Sequence, residues 1–170
     1  MLGLKSKSNK MQKSTTIKLT PLTKSNWEEC AKLEVNADQK EALPGNLFSI
    51  AELTFYPRTK AVAILNNKDE IVGFATFGIP EGENMPKIFR LMIDKKHQGK
   101  GYGKMALVEI VKELFTQNDS NKIQVCYQAS RKALKDFYGS IGFKEKELLP
   151  CKHNKDGKML ALLRRDDFQF

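Results

Sequence analysis

The sequence predicts an α+β domain, and two observations carry that reading. Apolar runs of strand length, bounded by turn-forming residues, recur along the chain. Between them lie segments whose apolar residues repeat at helical spacing. The element order reads β-α-α-β-β-β-α-β-α-β-β, which excludes a helical bundle and an all-β barrel. At 170 residues the chain fits one domain, expected over residues 15–170 after a lysine-rich tail at 1–14.

Residues 16–19 read as a short strand before Pro21. Ser25 followed by Glu28 has the spacing of a capping box, so a helix is expected to start there, with Trp27 anchoring its apolar face. Ser49 and Glu52 repeat the signature and predict a second helix that stops before Pro57. Two apolar runs, 61–65 and 71–79, flank Asn66-Asn67-Lys68-Asp69 and form a β-hairpin. Residues 87–93 read as a strand, and 101–115 as a helix carrying Leu107, Val111 and Leu114 on one side. A strand at 123–127 and a helix at 132–140 follow, the helix stopping at Gly142. Strands at 143–148 and 159–163 close the chain, joined by a loop at 150–157.

The net charge of +9 first suggests a nucleic acid or an anionic surface. Its distribution argues against that. Lys5, Lys7, Lys10, Lys13 and Lys18 have no acid near them, and the rest of the chain carries only +4. The tail lacks an apolar stretch and is not a signal peptide; disorder is the expectation. No apolar run is long enough to span a membrane. Cys30, Cys126 and Cys151 are odd in number and far apart, which suits neither a disulfide framework nor a zinc site and points to the reducing cytoplasm. Cys151 and His153 have no second ligand pair, so no metal is expected. Residues 25–57 hold an excess of acids, including Glu28, Glu29, Glu34, Asp38, Glu41 and Glu52, a pattern that could attract a cationic ligand or simply coat solvated helix faces.

The chemistry sits in residues 88–104, IFRLMIDKKHQGKGYGK. A strand runs into a glycine-rich turn and straight into a helix. Gly99, Gly101 and Gly103 permit close approach to the backbone, and the first N–H groups of the helix lack intrahelical partners. With the helix dipole they suit phosphate oxygens. The Walker spacing fails, since Gln98 stands where glycine is needed and Met105 where Ser or Thr is needed. The dinucleotide pattern fails at Lys104.

Gln98-Gly99-Lys100-Gly101-Tyr102-Gly103 does fit Q/R-x-x-G-x-G/A, and so resembles the pyrophosphate loop of the GCN5-related N-acetyltransferases (GNAT). Residues 132–143, KALKDFYGSIGF, resemble that superfamily's second motif, and the resemblance spans about residues 16–165. Phe89-Arg90-Leu91-Met92-Ile93-Asp94 with the loop, and Asn46-Leu47-Phe48-Ser49-Ile50-Ala51-Glu52, look like the bacterial spermine/spermidine (diamine) acetyltransferases. The resemblance implies a mixed, mostly antiparallel sheet of six to seven strands with splayed central strands and about four helices. It implies acetyl-CoA as cosubstrate and a small polyamine, spermidine or spermine, as acceptor, in a protein without nucleic-acid or membrane partners, and it is compatible with a homodimer.

Carried onto this chain, the resemblance places the pyrophosphate on the N–H groups of Gln98, Gly99, Lys100, Gly101, Tyr102, Gly103 and Lys104. The pantetheine arm would pair with Leu91, Met92 and Ile93, with an N–H near Met92 or Ile93 polarising the thioester. Tyr138 occupies the general-acid position. Arg131 stands where the family often has a cofactor-contacting Asn, and an arginine can still reach a phosphate. An aliphatic amine arrives protonated, so a base is needed. Glu52 and Glu34 rank first because they lie in the expected substrate segment; Asp94, Asp38, Glu83 and a water relay are the others. The alternatives are the same transfer to another amine (an amino acid, an aminoglycoside or a protein N-terminus) and a non-catalytic nucleic-acid-binding or regulatory module.

Overall fold

In the computed structural model, the described residues are 16–40, 45–151 and 154–170. The expected tail at 1–14, Glu41 and His153 lie outside them. Seven strands form one sheet in the order β1-β2-β3-β4-β5-β7-β6. They are β1 Ile17–Pro21, β2 Thr59–Asn66, β3 Ile71–Gly78, β4 Lys87–Ile93, β5 Lys122–Gln128, β6 Lys144–Cys151 and β7 Asn154–Arg164. Among the described residues, four α-helices accompany them: α1 Trp27–Lys32, α2 Asn46–Glu52, α3 Tyr102–Gln117 and α4 Lys132–Gly139. The α+β class, the element order and the mostly antiparallel sheet all agree with the sequence reading. No described helix is long and apolar enough to cross a membrane.

The central strands are buried on both faces, which explains why their sequences read as continuous apolar runs. Alternation still sorts their side chains. Val62, Ile64, Val72 and Ile88 pack with Ala106, Leu107, Ile110 and Val111 of α3 in the larger core. Ala61, Ala63, Phe74 and Met92 pack with Cys30 of α1 in the smaller one. Burial pushes the Cys30 thiol up to about 11, so it stays protonated as a packing group.

The parallel pairing of β4 with β5 decides the site. β4 and β5 are in register only at Lys87↔Gln124 and Ile88↔Val125. Beyond that point they diverge, as expected from the resemblance. A bulge between Thr76 and Phe77 adds a residue to β4 at Phe89, and bulges bend a strand.

Four local expectations are corrected. The Ser25–Glu28 capping box does not form. Ser25 is held by the Thr23 hydroxyl, Asn26 Oδ1 accepts from the Thr23 N–H, and α1 opens at Trp27. Such local side-chain bonds compete with the helix. Trp27, expected to anchor the apolar face of that helix, is 37% exposed. The second box fails for a tertiary reason. α2 begins after Gly45, which places Ser49 inside the helix and Glu52 at its end, and both face Arg90 of β4. Finally, β6 and β7 run deep into the expected 150–157 loop. Gly157, at φ +74°, takes a backbone conformation that lets the hairpin continue.

Candidate active site

The divergence of β4 from β5 opens a cleft of about 400 Å³ beside the start of α3. Leu91, Met92, Ile93, Gln98, Gly99, Gly101, Tyr102, Gly103, Lys104, Arg131 and Tyr138 all line it. The tertiary fold thus gathers the expected residues of the strand, the turn, the β5–α4 junction and α4. Lys100, Glu34 and Glu52 are not among the lining residues. The Lys100 ammonium turns back to the Lys96 carbonyl at 3.1 Å.

The turn is shaped by glycine where a side chain would be strained. Gly99 and Gly101 have φ of +74° and +83°. From Gln98 to Lys104, no main-chain N–H donates to an acceptor among the described residues. Met105 is the first residue to bond back, to the Gly101 carbonyl. These free amides lie at a helix N-terminus, which makes a favourable site for anionic oxygens.

Register decides which groups of β4 face the gap. The Asp94 N–H donates to the Val72 carbonyl at 2.9 Å, and antiparallel bonds alternate along the strand. Met92 and Arg90 therefore direct their main-chain groups at β3. Leu91 and Ile93 direct theirs at the gap, where β4 has no strand partner beyond Ile88 among the described residues. The Ile93 carbonyl accepts the Gln98 side-chain amide at 2.9 Å.

Tyr138 is 7% exposed and reaches the cleft from α4. Its ring stacks on Tyr127 at 5.3 Å, with Phe137 and Phe143 edge-on. Burial, and next the neighbouring Tyr127, drive its pKa well above the ordinary phenol value. The hydroxyl therefore stays protonated across the physiological range. Tyr127 spends its hydroxyl on Glu145 at 3.1 Å.

The carboxylates sit differently. Lys95, at 2.6 Å, holds the Glu34 carboxyl below the ordinary carboxylate range, with Lys40 helping. Glu52 lies 3.9 Å from the Arg90 guanidinium. Burial alone would raise the Asp94 pKa, but the N–H groups of Glu34 and Lys96, each at 3.0 Å, outweigh it and lower the pKa. Asp94 thus clamps the strand end rather than standing ready to take a proton. Arg131 donates to Gln128 and faces Asp38 at 3.7 Å.

Sequence reasoning missed Gln39 and Val35 as cleft residues. A signal existed for the first. Asn36 and Gln39 form the capping box of a 3₁₀ turn, Ala37–Gln39, with the same spacing that was read at Ser25 and Ser49.

The sequence family described as an acetyltransferase (GNAT) domain matches residues 49–154. No curated protein sequence matches significantly. Among solved structures, spermidine N-acetyltransferase from Vibrio cholerae, bound to CoA and spermine, superposes with a TM-score of 0.71 at 14% identity, covering 89% of this chain and 97% of that one. An aminoglycoside acetyltransferase bound to coenzyme A gives 0.70 at 17% identity, covering 91% and 96%. A ribosomal-protein-S5-alanine acetyltransferase from Vibrio fischeri gives 0.68 at 14%, covering 90% and 95%. At these identities the likeness establishes the shared fold.

Proposed function

Since the chain belongs to the acetyltransferase (GNAT) family, we propose that it moves an acetyl group from acetyl-CoA to a primary amine of a small polyamine, by direct attack in a ternary complex. The observation that carries the reading is the row of unpartnered N–H groups at residues 98–104, beside an unpaired strand edge and a neutral buried phenol. Acetyl-CoA supplies the activated acetyl group as a thioester.

Each residue then has a physical task. The amides of 98–104 bind pyrophosphate oxygens, and Lys104 adds positive charge at the cleft wall. Leu91 offers its N–H and carbonyl to the pantetheine arm as a neighbouring strand would. Register selects the Ile93 N–H over that of Met92 as donor to the thioester carbonyl oxygen. Tyr138 delivers a proton to the departing sulfur. The incoming amine must lose a proton, and Glu52 and Glu34 remain the carboxylates of the acceptor segment. Lys95 and Lys40 make Glu34 a weaker base than an ordinary carboxylate.

The polyamine acceptor is supported by the acid excess in residues 25–57 and by the neighbour solved with spermine. A second reading, the same transfer to another primary amine, is favoured by the ion pairs of those acids: Glu28 with Lys32, Glu34 with Lys95, Asp38 with Arg131 and Glu52 with Arg90. Acetyl transfer measured across spermidine, spermine, an aminoglycoside, an amino acid and a peptide N-terminus decides between them. Turnover confined to the last three would remove the polyamine.

Gly101→Ala tests the loop. An alanine at φ +83° costs about 1–2 kcal/mol, although open space surrounds the new Cβ. The expected result is about tenfold weaker acetyl-CoA binding by calorimetry. Unchanged affinity would show that the turn need not hold this conformation.

A further inference from the structure

We propose that residues 34–39 form a strap that positions the phosphate-binding turn, with Asn36 and Gln39 as positioning residues acting through Gln98. The proposal rests on the cofactor reading above and adds to it a part of the chain that the loop motif does not include.

The hydrogen bonds are specific. The Asn36 side-chain N–H donates to Gln98 Oε1 at 2.8 Å. Gln98 Nε2 donates to Gln39 Oε1 at 2.8 Å and to the Ile93 carbonyl at 2.9 Å. Both N–H groups of the Gln98 amide and its oxygen are thereby engaged within the protein. Its side chain is a brace, which leaves its main-chain N–H as the ligand group. Two of the three bonds come from the strap, some 60 residues away in sequence.

The strap is anchored at both ends of the cleft. On the turn side, the Lys95 N–H donates to the Glu34 carbonyl at 2.7 Å, and the Glu34 N–H donates to Asp94 at 3.0 Å. On the α4 side, Asp38 faces Arg131 at 3.7 Å. Between these anchors, Val35 and Gln39 line the cleft itself. Val35 and Met92 also line a neighbouring cavity that carries Glu34 and Leu47. The strap therefore joins the side where the cofactor would sit to the side where the acceptor would enter. A positioned dipole array binds better than one that must be ordered at each encounter, since ordering costs conformational entropy.

The test uses the full chain with Asn36→Ser and Gln39→Met, alone and together. Serine keeps a cap for the 3₁₀ turn but loses the donor to Gln98; methionine keeps length but loses the acceptor. In the double variant we expect the KM for acetyl-CoA, and its calorimetric Kd, to rise about tenfold. kcat at saturation and the KM for the amine should change less than about twofold, and the melting temperature of the free protein should stay close to wild type. That split separates positioning from general weakening of the fold. An unchanged acetyl-CoA affinity in the double variant overturns the strap alone. A uniform loss of kcat and both KM values that follows a lowered melting temperature overturns it too. Absence of any acetyl-CoA binding to the wild type overturns both the strap and the function on which it rests.

Discussion

Replacing Tyr138 with phenylalanine is expected to lower kcat about 100-fold, equivalent to about 2.7 kcal/mol of lost transition-state stabilisation. Acetyl-CoA affinity should stay within about twofold. The ring contacts with Tyr127, Phe137 and Phe143 survive the change, and no hydrogen bond to the hydroxyl exists among the described residues, so the variant should fold as before. The same residue sets an expectation for pH. Burial raises its pKa, so the donor form persists through and above the ordinary phenol value of about 10. An aliphatic amine becomes a nucleophile only as it loses its proton, also near pH 10. Activity in wild type should therefore climb from pH 7 to pH 9 with no descending limb from Tyr138. A descending limb centred near pH 8 that disappears in Tyr138→Phe would contradict the raised pKa. Unchanged turnover in the variant would remove Tyr138 as the acid.

Gly73→Ala is expected to damage the fold through a single methyl group. Its φ is ordinary, so the cause is space rather than backbone strain. A Cβ there would lie 2.5 Å from the Met92 carbonyl oxygen and 2.7 Å from Ile93 Cδ1. Main chain cannot swing aside as a side-chain end can, so β3 and β4 must separate. Overpacking of this kind costs about 3 kcal/mol, which in a chain of this size lowers the melting temperature by about 10 °C. Because Ile93 sits directly opposite Gly73, the displacement falls on the strand that faces the cleft. Activity should drop further than the loss of folded protein explains. Gly139→Ala is the control, since nothing lies within 4 Å of its Cβ. Equal melting temperatures for the two variants would show that the sheet accommodates the methyl group.

Much of the fold is legible in the sequence because its signals are local. The hairpin of β2 and β3 follows from two apolar runs around Asn66–Asp69, and that turn forms, with Asn66 Oδ1 accepting the N–H groups of Lys68 and Glu70. β4 occupies the expected 87–93 because Pro86 and Asp94 bound it. α3 and α4 follow from their apolar spacing and the glycines beside them. Helix starts in the acidic segment were misread because one signature, a polar residue followed three positions later by an acid or amide, recurs there from Ser25–Glu28 to Ser49–Glu52. Among the described residues, the Asn36–Gln39 copy is the one that forms a capping box. The Ser49–Glu52 copy serves a guanidinium 41 residues away, which no local pattern reveals.

On its own, the order of residues determined the α+β class, the strand–turn–helix unit and the row of amides at 98–104, since φ preferences, apolar periodicity and free helix N–H groups act over a few neighbours. Only the tertiary structure decided where β4 leaves β5, that Ile93 rather than Met92 turns its N–H to the gap, that Glu34 is held by lysines, and that Gln98 is braced from across the cleft. Those outcomes depend on register and on contacts between distant segments, and the pairing energy that selects them exists only once the sheet has assembled.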